Sequence, residues 1–214
     1  EGKMCGNGIR CVGKFLYDHG MVDINEKDEI TIETLSGIKK LKAYTSGGKV
    51  NRLRVDMGKA ILDPKEIPVV LDGDKVVDRP VEIAGKNYNI TCVSMGNPHC
   101  VVFMDDIDNL DIETVGPEFE NDKLFPERVN TEFVTVLDDH TIKMRVWERG
   151  SGETWACGTG ACAVAVAACE NGFCKKGEDI KIKLKGGDLI INYTDETVYM
   201  TGNAEKVFEG EVEV

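Results

Sequence analysis

A phrase of four residues occurs twice in this chain and divides it into two related halves. Cys-Gly-Asn-Gly at residues 5–8 returns as Cys-Gly-Thr-Gly at residues 157–160, an offset of 152 residues. A helix-like stretch follows each phrase, and Gly20 and Gly172 stand at the same offset, where a left-handed residue commonly ends a helix. We therefore expect two domains within the 214 residues, each presenting one thiol at the start of a helix.

The repeat continues beyond the helices into strand-like segments. Residues 29–32 and 179–182 alternate β-branched with charged or polar side chains at an offset of 150 residues, and a turn glycine follows each of them. Each half is thus predicted to run loop, helix, strand, turn, strand. Further strands are predicted near residues 50–57, 88–93, 100–103, 133–137, 141–147 and 197–201, with a short helix at 111–119.

The repeat also sets the predicted domain boundaries. The first domain is expected to comprise residues 1–62 plus 205–214, and the second to comprise residues 63–204. The first half has no counterpart to residues 80–150 of the second. We therefore expect an N-terminal portion outside this numbering, roughly 65–75 residues long and with its own Gly-Asn phrase.

The two helices differ in the faces that they are expected to bury. The first places Ile9 and Val12 on its apolar face and leaves Lys14 and Asp18 to face water. The second is apolar all round over residues 161–169, which predicts full burial.

The start of each helix combines glycine with cysteine. Glycines on both sides of Asn7 and Thr159 let the backbone turn and point N–H groups outward. A helix N-terminus favours an anion, so a substrate carboxylate would fit there. The same field is expected to lower the pKa of a thiol from about 8.5 to between about 3.5 and 7.5. Two such thiols facing each other could take a proton from one face of a carbon and return it to the other. An incidental cysteine in a glycine-rich cap is the alternative for one phrase, but two phrases in register disfavour it.

Three other patches could complete a site. In the Asn-Pro-His segment, Asn97 and His99 would be exposed by a turn at a strand end, where His99 could tune a thiol. Glu148 and Arg149 could bind an ammonium and a carboxylate, respectively. Asn130 is a possible amide ligand before a strand. The alternatives are a structural turn at residues 97–99, a solvated surface pair at 148–149 and a turn residue at 130.

Composition excludes several other classes of function. A net charge of −12 would repel a phosphate backbone, which disfavours nucleic-acid binding. The longest apolar run, residues 161–169, is too short to cross a bilayer, and no signal peptide is visible, so we expect a cytoplasmic protein. Eight cysteines without a Cys-x-x-Cys pair, in mostly apolar contexts, argue against both a zinc site and a disulfide scaffold.

These motifs, in this order, resemble those of the diaminopimelate epimerase family. The matching segments are residues 4–11, 96–99, 148–154 and 156–160, so the resemblance spans nearly the whole chain. It implies an enzyme that needs neither a cofactor nor a metal. The enzyme would interconvert LL- and meso-diaminopimelate on the route to lysine and the bacterial cell wall. The resemblance also implies a homodimer. The implied fold class is α/β of the α+β type. Its two pseudo-symmetric domains are each a mixed or antiparallel sheet or barrel wrapped around a central helix, with the active site in the interdomain cleft.

The resemblance also implies roles for individual residues. Cys5 and Cys157 would be the two acid/base residues, assisted by His99 and Glu148. Backbone amides and side chains at the helix starts would hold the reacting carboxylate, namely those of Gly6, Asn7, Gly158 and Thr159. The distal centre of the substrate would be bound by Asn97, Asn130, Glu148 and Arg149. The further binding amides that family members carry upstream of the first cysteine have no match in this numbering.

Three other functions fit part of the pattern. A proline racemase-like enzyme shares the two-thiol plan, but it has a histidine where this chain has Asn7 and lacks the Asn-Pro-His context. A catalytically inactive ligand-binding relative would tolerate the loss of either thiol. A purely structural pair of domains would bury both cysteines, and slow reaction of Cys5 and Cys157 with a thiol reagent would favour it.

Overall fold

The fold was taken from a computed structural model, which describes residues 5–24, 28–35 and 37–212. The chain divides into two compact units. The first comes from Glu1–Asp56 and Thr201–Val214, and the second is Met57–Met200. The described residues form three helices and twelve strands, which confirms the mixed, sheet-rich α+β class.

The first unit places one helix on a three-stranded antiparallel arrangement. Helix α1 is Gly6–Asp18, and the strands are β1 (Glu29–Thr34), β2 (Gly37–Ser46) and β3 (Lys49–Asp56). β2 pairs with both β1 and β3 in antiparallel register. A Cβ at Gly13 would lie 2.9 Å from Leu53 Cδ2 and 3.0 Å from Leu41 Cδ2. Glycine therefore allows the close approach of α1 to the strands.

The faces of α1 differ from the prediction. Ile9 is buried as expected, but Val12 is 46% exposed, because Gly13 and not Val12 turns toward the strands. Lys14 and Asp18 were expected to face water, and this was wrong: they form an ion pair at 2.8 Å and are only 16% and 12% exposed. Their side chains satisfy the backbone of Val50 at the start of β3, since Lys14 donates to its carbonyl and Asp18 accepts from its N–H.

The second unit is built on a longer, mixed sheet. Its elements are β4 (Arg79–Ile83), β5 (Lys86–Ser94), β6 (Pro98–Phe103), α2 (Ile112–Glu120), β7 (Asn130–Asp138), β8 (Thr141–Glu148), β9 (Gly152–Thr154), α3 (Gly158–Glu170), β10 (Asp179–Leu184), β11 (Gly187–Tyr193) and β12 (Val198–Asn203), whose last residues belong to the first unit. The strand order is β12-β11-β10-β8-β7-β6-β5-β4, with β9 added on β8. The β6–β7 and β8–β10 pairs are parallel. The antiparallel pairs are β4–β5, β5–β6, β7–β8, β8–β9 and β10–β11.

Helix α3 is the centre of the second unit. Gly158 and every residue from 160 to 168 are buried, which confirms the burial predicted from the apolar sequence for residues 161–168, whereas Cys169 is only partly buried. The helix contacts β5, β6, β7, β10 and β11. Its alanines leave room for these strands to approach its backbone from several directions. No helix in the described part of the chain is both long and apolar enough to span a membrane.

The internal repeat is visible in the geometry as well as in the sequence. α1 and α3 both have 13 residues and begin and end at the same offset. The β1–β2 hairpin closes on Thr34 opposite Gly37, and the β10–β11 hairpin closes on Leu184 opposite Gly187. After the helices, φ is +65° at one terminal glycine and +78° at the other, which confirms the predicted left-handed ends at Gly20 and Gly172.

Candidate active site

Each motif cysteine is the N-cap of its helix. Cys5 has φ −133° and ψ 108°, and Cys157 has φ −125° and ψ 109°. Each sulfur accepts a hydrogen bond of 3.3 Å from the N–H three residues later, that of Gly8 or of Gly160. The thiol thus stands where serine or threonine places its hydroxyl at ordinary helix starts.

The surroundings of the two sulfurs differ. Cys5, in the first unit, is exposed, whereas Cys157, in the second, is 6% exposed. Beside Cys5, Gly6 is buried and the buried side-chain oxygen of Asn7 has no hydrogen-bond partner in the described part of the chain. An unsatisfied buried oxygen is costly, which marks Asn7 as a residue that a bound donor would stabilise.

The expected lowering of the thiol pKa is wrong for Cys157. Burial, together with the nearby carboxylates of Glu132 and Glu148, raises the pKa of Cys157 to about 12. Hydrogen bonds from Thr159 and from the N–H of Gly160 lower it. Removal from water and two nearby carboxylates outweigh the helix start, so Cys157 is a thiol at neutral pH.

A chain of polar contacts runs from Cys157 into the interior of the second unit. The Thr159 Oγ1 lies 3.5 Å from the Cys157 Sγ and accepts a hydrogen bond of 3.3 Å from the Asn97 Nδ2. The Asn97 Oδ1 lies 3.0 Å from the His99 Nε2. At the far end, the His99 Nδ1 lies 2.7 Å from the Glu132 Oε1. The structure thereby joins three predicted site residues to Cys157.

Glu132 was not among the predicted site residues. It is fully buried, and only one of its carboxylate oxygens has a hydrogen-bond partner within the described residues. Strand alternation could have found it, because residues i and i+2 share one face of a strand and Glu132 stands two residues after Asn130 on β7. A carboxylate is rarely buried without a partner, and the position of Glu132 at the start of a predicted strand is readable in the sequence.

Asn130 links two of the predicted patches through the backbone. Its Nδ2 donates to the carbonyl of Pro98 at 3.1 Å, and its Oδ1 accepts from the N–H of Arg149 at 3.0 Å. It also stands opposite His99 in the parallel β6–β7 register. Asn130 therefore holds the strand end that carries His99 next to the loop that carries Arg149.

The loop after β8 carries the other two predicted ligands. The Glu148 Oε1 accepts a hydrogen bond from the hydroxyl of Thr154, and the Arg149 Nη1 donates to the carbonyl of Glu127 at 2.9 Å. Both side chains are partly buried. The charge of Glu148 acts on Cys157, so the structure brings Glu148 near the chain of contacts described above.

A second buried carboxylate, Glu120 at the end of α2, anchors this loop and was also missed. Its Oε2 accepts from the Trp147 Nε1 at 2.7 Å. Its Oε1 accepts from the Gly150 N–H at 2.8 Å and pairs with Arg128 at 2.9 Å. Glu120 thus holds the indole side chain that precedes Glu148 and the backbone N–H that follows Arg149.

The predicted site residues fall into two groups, one in each unit. The second unit holds Asn97, His99, Asn130, Glu148, Arg149, Cys157, Gly158 and Thr159, and the first holds Cys5, Gly6 and Asn7. Among residues 5–24, 28–35 and 37–212, no three His, Cys, Asp or Glu side chains are grouped as a metal site would require.

Known proteins resemble this chain over its whole length. The family model for diaminopimelate epimerase matches residues 1–62 and 91–207. The diaminopimelate epimerase of Agathobacter rectalis is 51% identical, covering 100% of this chain and 76% of that protein. The corresponding proteins of Acetivibrio thermocellus and Methanococcus maripaludis are 52% and 50% identical and are covered to 75% and 76%. The chain therefore spans about three quarters of the length of these curated relatives.

Solved structures with lower identity share the fold. A probable proline racemase from Agrobacterium radiobacter superposes with a TM-score of 0.72 at 16% identity, over 94% of this chain and 65% of that one. A hydroxyproline epimerase from Agrobacterium vitis gives 0.70 at 14% identity, over 94% and 64%. The fold is common to this chain and these two structures, while the three curated relatives named above are diaminopimelate epimerases. The chain belongs to the diaminopimelate epimerase family.

Proposed function

We propose that this protein epimerises LL-diaminopimelate to meso-diaminopimelate with a thiol and a thiolate, and without a cofactor. The product is a precursor of lysine and of peptidoglycan. Family membership supports the substrate, and the chemistry is argued from the two helix starts.

One observation carries the proposal. The cysteines at 5 and 157 have nearly the same backbone angles, the same helix behind them and the same 3.3 Å hydrogen bond to sulfur. Inverting a carbon centre requires one group that removes a proton and a second that delivers one to the opposite face. A duplicated unit that supplies one thiol per copy provides such a pair of groups.

The helix starts can also bind the reacting carboxylate. The first N–H groups of a helix have no partner within it. In α3, the N–H of Gly160 bonds to the Cys157 sulfur and that of Ala161 to the Cys157 carbonyl. The amides of Gly158 and Thr159 are then the N–H groups at this helix start that a carboxylate would bind. By the repeat, Gly6 and Asn7 have the same places in α1.

These amides would lower the barrier to removing the proton. The proton on the α-carbon of an amino acid is very weakly acidic, and its removal places negative charge on the adjacent carboxylate. Donors fixed in advance at a helix start stabilise that charge as it grows, because they need no reorganisation. Excluding water from the site would strengthen the interaction.

The two thiols must start in different protonation states. With its pKa raised to about 12, Cys157 is suited to be the acid that delivers a proton, while Cys5 acts as the base in that direction. In the reverse direction the roles exchange. We assign His99 and Glu148 to assist the thiols, and Asn97, Asn130, Glu148 and Arg149 to the distal end of the substrate, where Arg149 would pair with a carboxylate.

We further propose that the enzyme is a cytoplasmic homodimer, as the resemblance of its motifs suggests. Sedimentation equilibrium of the purified protein should give twice the mass of the chain. A mass equal to that of one chain at micromolar concentration would contradict the dimer.

The activity is tested by incubating the protein with LL-diaminopimelate and separating the stereoisomers chromatographically. We expect meso-diaminopimelate to form without pyridoxal phosphate, and L-proline to stay unchanged under the same conditions. Inversion of proline but not of diaminopimelate would favour a proline racemase-like enzyme. Binding of diaminopimelate without any inversion would favour the inactive ligand-binding relative.

A further inference from the structure

We propose that Glu132 is a positioning residue that, through His99, Asn97 and Thr159, determines whether Cys157 is a thiol or a thiolate. This inference rests on the proposed function only in so far as turnover uses Cys157. It concerns the second unit alone and can be tested without substrate.

A buried pair of ionisable side chains lies at the end of the chain of contacts. The side chains of Glu132 and His99 are both fully buried, and the His99 Nδ1 lies 2.7 Å from the Glu132 Oε1. The second carboxylate oxygen is buried and has no hydrogen-bond partner among the described residues. A carboxylate so far from water must either be paired or take up a proton.

The direction of the hydrogen bonds between His99 and Cys157 depends on which atoms can donate a hydrogen. The Asn97 Oδ1 can only accept, so the His99 Nε2, 3.0 Å away, must carry a hydrogen. One further proton then lies between the His99 Nδ1 and Glu132, and the His99–Glu132 pair has no net charge. The Asn97 Nδ2 donates to the Thr159 Oγ1, which leaves the Thr159 hydroxyl hydrogen to point at the Cys157 sulfur. This direction of hydrogen bonds favours a thiolate.

The same hydrogen bonds can also run in the opposite direction. If the amide of Asn97 turns over, its Nδ2 donates to the His99 Nε2 and its Oδ1 accepts from the hydroxyl of Thr159. The Thr159 oxygen is then left to accept from the S–H of Cys157. The His99 Nδ1–H now faces an ionised Glu132, so the pair carries one negative charge while Cys157 is neutral.

In both directions of the hydrogen bonds the site carries one negative charge, which lies either on Cys157 or on the His99–Glu132 pair. A proton on the His99–Glu132 pair favours the Cys157 thiolate, and a proton on Cys157 favours the anionic pair. By reciprocity, each proton lowers the affinity of the other site for a proton. The pair therefore lets Cys157 change its protonation state without placing a second negative charge beside the first.

The electrostatics of the site agree with this linkage. After burial, the charge of Glu132 is the next largest cause that raises the pKa of Cys157. Burial likewise raises the pKa of Glu132, while the charge and hydrogen bond of His99 lower it. The other ionisable groups that act on Glu132 or feel its charge are Glu148 and Cys100.

The direct test is the reactivity of Cys157 as a function of pH, without substrate. Alkylation by iodoacetamide is followed by mass spectrometry of the peptide that contains Cys157, because only the thiolate reacts. We expect Glu132→Gln to lower the pH midpoint of the reaction by about 1 unit or more, since it removes a negative charge near the sulfur. A midpoint that is unchanged or raised would overturn the proposal.

Glu170→Gln is the matched control, because it removes one carboxylate charge from the other end of α3. Its side chain contacts Tyr193 and Lys75, about 20 Å along the helix from Cys157. Salt screens charges at that separation, so its midpoint should equal that of the unaltered protein. A shift equal to that of Glu132→Gln would show a general charge effect and would overturn the assignment.

Thr159→Val tests the chain of contacts itself. It removes the hydroxyl between Asn97 and Cys157 with little change in shape. Alone, it should raise the pH midpoint of alkylation, because the thiolate loses a hydrogen-bond donor. If Glu132→Gln does not fold, a midpoint that is not raised in Thr159→Val would overturn the proposal. In a double-mutant cycle, Glu132→Gln should cause a smaller shift in the Thr159→Val background. Equal shifts in both backgrounds would overturn the relay through Thr159.

These outcomes are independent of turnover. If the protein failed to invert diaminopimelate, the proposed function would be wrong, and the titration of Cys157 would still be measurable. If the titration showed no linkage in an active enzyme, only the role of Glu132 would be wrong.

Discussion

The carboxylate of Glu132 occupies the space that a side chain at Gly160 would need. A Cβ at position 160 would come within 2.6 Å of the Glu132 Oε1 and 3.2 Å of the Cys157 Sγ. At the equivalent Gly8, the nearest atom among the described residues would be the Cys5 Sγ, at 3.4 Å, and of these residues only Cys5 lies within 4 Å. The two helix starts thus share a backbone but differ in what packs on it.

This difference gives a prediction about the two glycines. Gly160→Ala should lower the free energy of unfolding by about 1–3 kcal/mol, because the rigid helix start and the buried carboxylate must separate. Gly8→Ala is the matched control and should be neutral or slightly stabilising, since alanine favours a helix. Urea unfolding of both variants makes the comparison, and equal losses would contradict the packing described here.

Serine and alanine at position 157 should separate stability from activity. Serine is a good N-cap, so Cys157→Ser should unfold at nearly the same urea concentration as the unaltered protein. Cys157→Ala loses the cap and should be less stable by about 1 kcal/mol. Both should lower the epimerisation rate by about 100-fold or more, because neither side chain is an effective acid/base. Full activity of Cys157→Ser would rule out the thiol as the acid.

Alkaline pH should destabilise the protein through its buried thiols. Burial raises the pKa of Cys157 and Cys169 to about 12 and that of Cys174 to about 11. An unfolded thiol ionises near pH 8.5, so unfolding releases protons above that pH. The contribution of these thiols to stability should therefore be constant below about pH 8.5 and fall as the pH rises toward 11, by at most about 1.4 kcal/mol per pH unit for one thiol.

The measurement is urea unfolding at pH 8 and pH 10. Cys157→Ser should lose less stability between these two values than the unaltered protein does. Cys11→Ser changes an exposed cysteine and is the control. An identical pH dependence in Cys157→Ser and in the unaltered protein would contradict the raised pKa of Cys157.

Packing under the Glu148–Arg149 loop depends on Gly116 of α2. A Cβ there would lie 2.3 Å from Cδ2 of the Trp147 ring, so Gly116→Ala should displace the indole and cost about 1–3 kcal/mol of stability. Displacing Trp147 would also break its hydrogen bond to Glu120, which should raise KM more than it lowers kcat. Gly210→Ala is the control, because no atom of the described part of the chain lies within 4 Å of the added Cβ. An unchanged KM in Gly116→Ala would contradict the anchoring role.

Local sequence signals predicted the elements and the cysteine positions well. Glycine after the helices, alternation in the strands and the two cysteine phrases are read within about ten residues, and each is confirmed in the structure. The parallel β6–β7 pair could not be read in this way, because it joins His99 to Asn130 across 31 residues that include α2. The contacts of His99 depend on that pairing.

The burial of the site residues could not be predicted from the sequence. The helix-start argument considered only the local field at Cys157 and therefore predicted the wrong direction for its pKa. The opposing effects come from α3 being enclosed by five strands and from the carboxylates of Glu132 and Glu148, which the folded sheet brings near Cys157. The inward-facing Lys14 and Asp18 were missed for the same reason, since their partner Val50 lies on another element.

The central claim is that two different thiols handle the proton, and deuterium labelling tests it most directly. The protein, at its natural length, converts LL-diaminopimelate in deuterium oxide, and both stereoisomers are analysed by mass spectrometry at low conversion. Two separate groups predict one deuterium at the inverted carbon of the meso product, while the recovered LL substrate keeps its proton. A product that retains the original proton, or recovered substrate that gains deuterium as fast as product forms, would contradict the account.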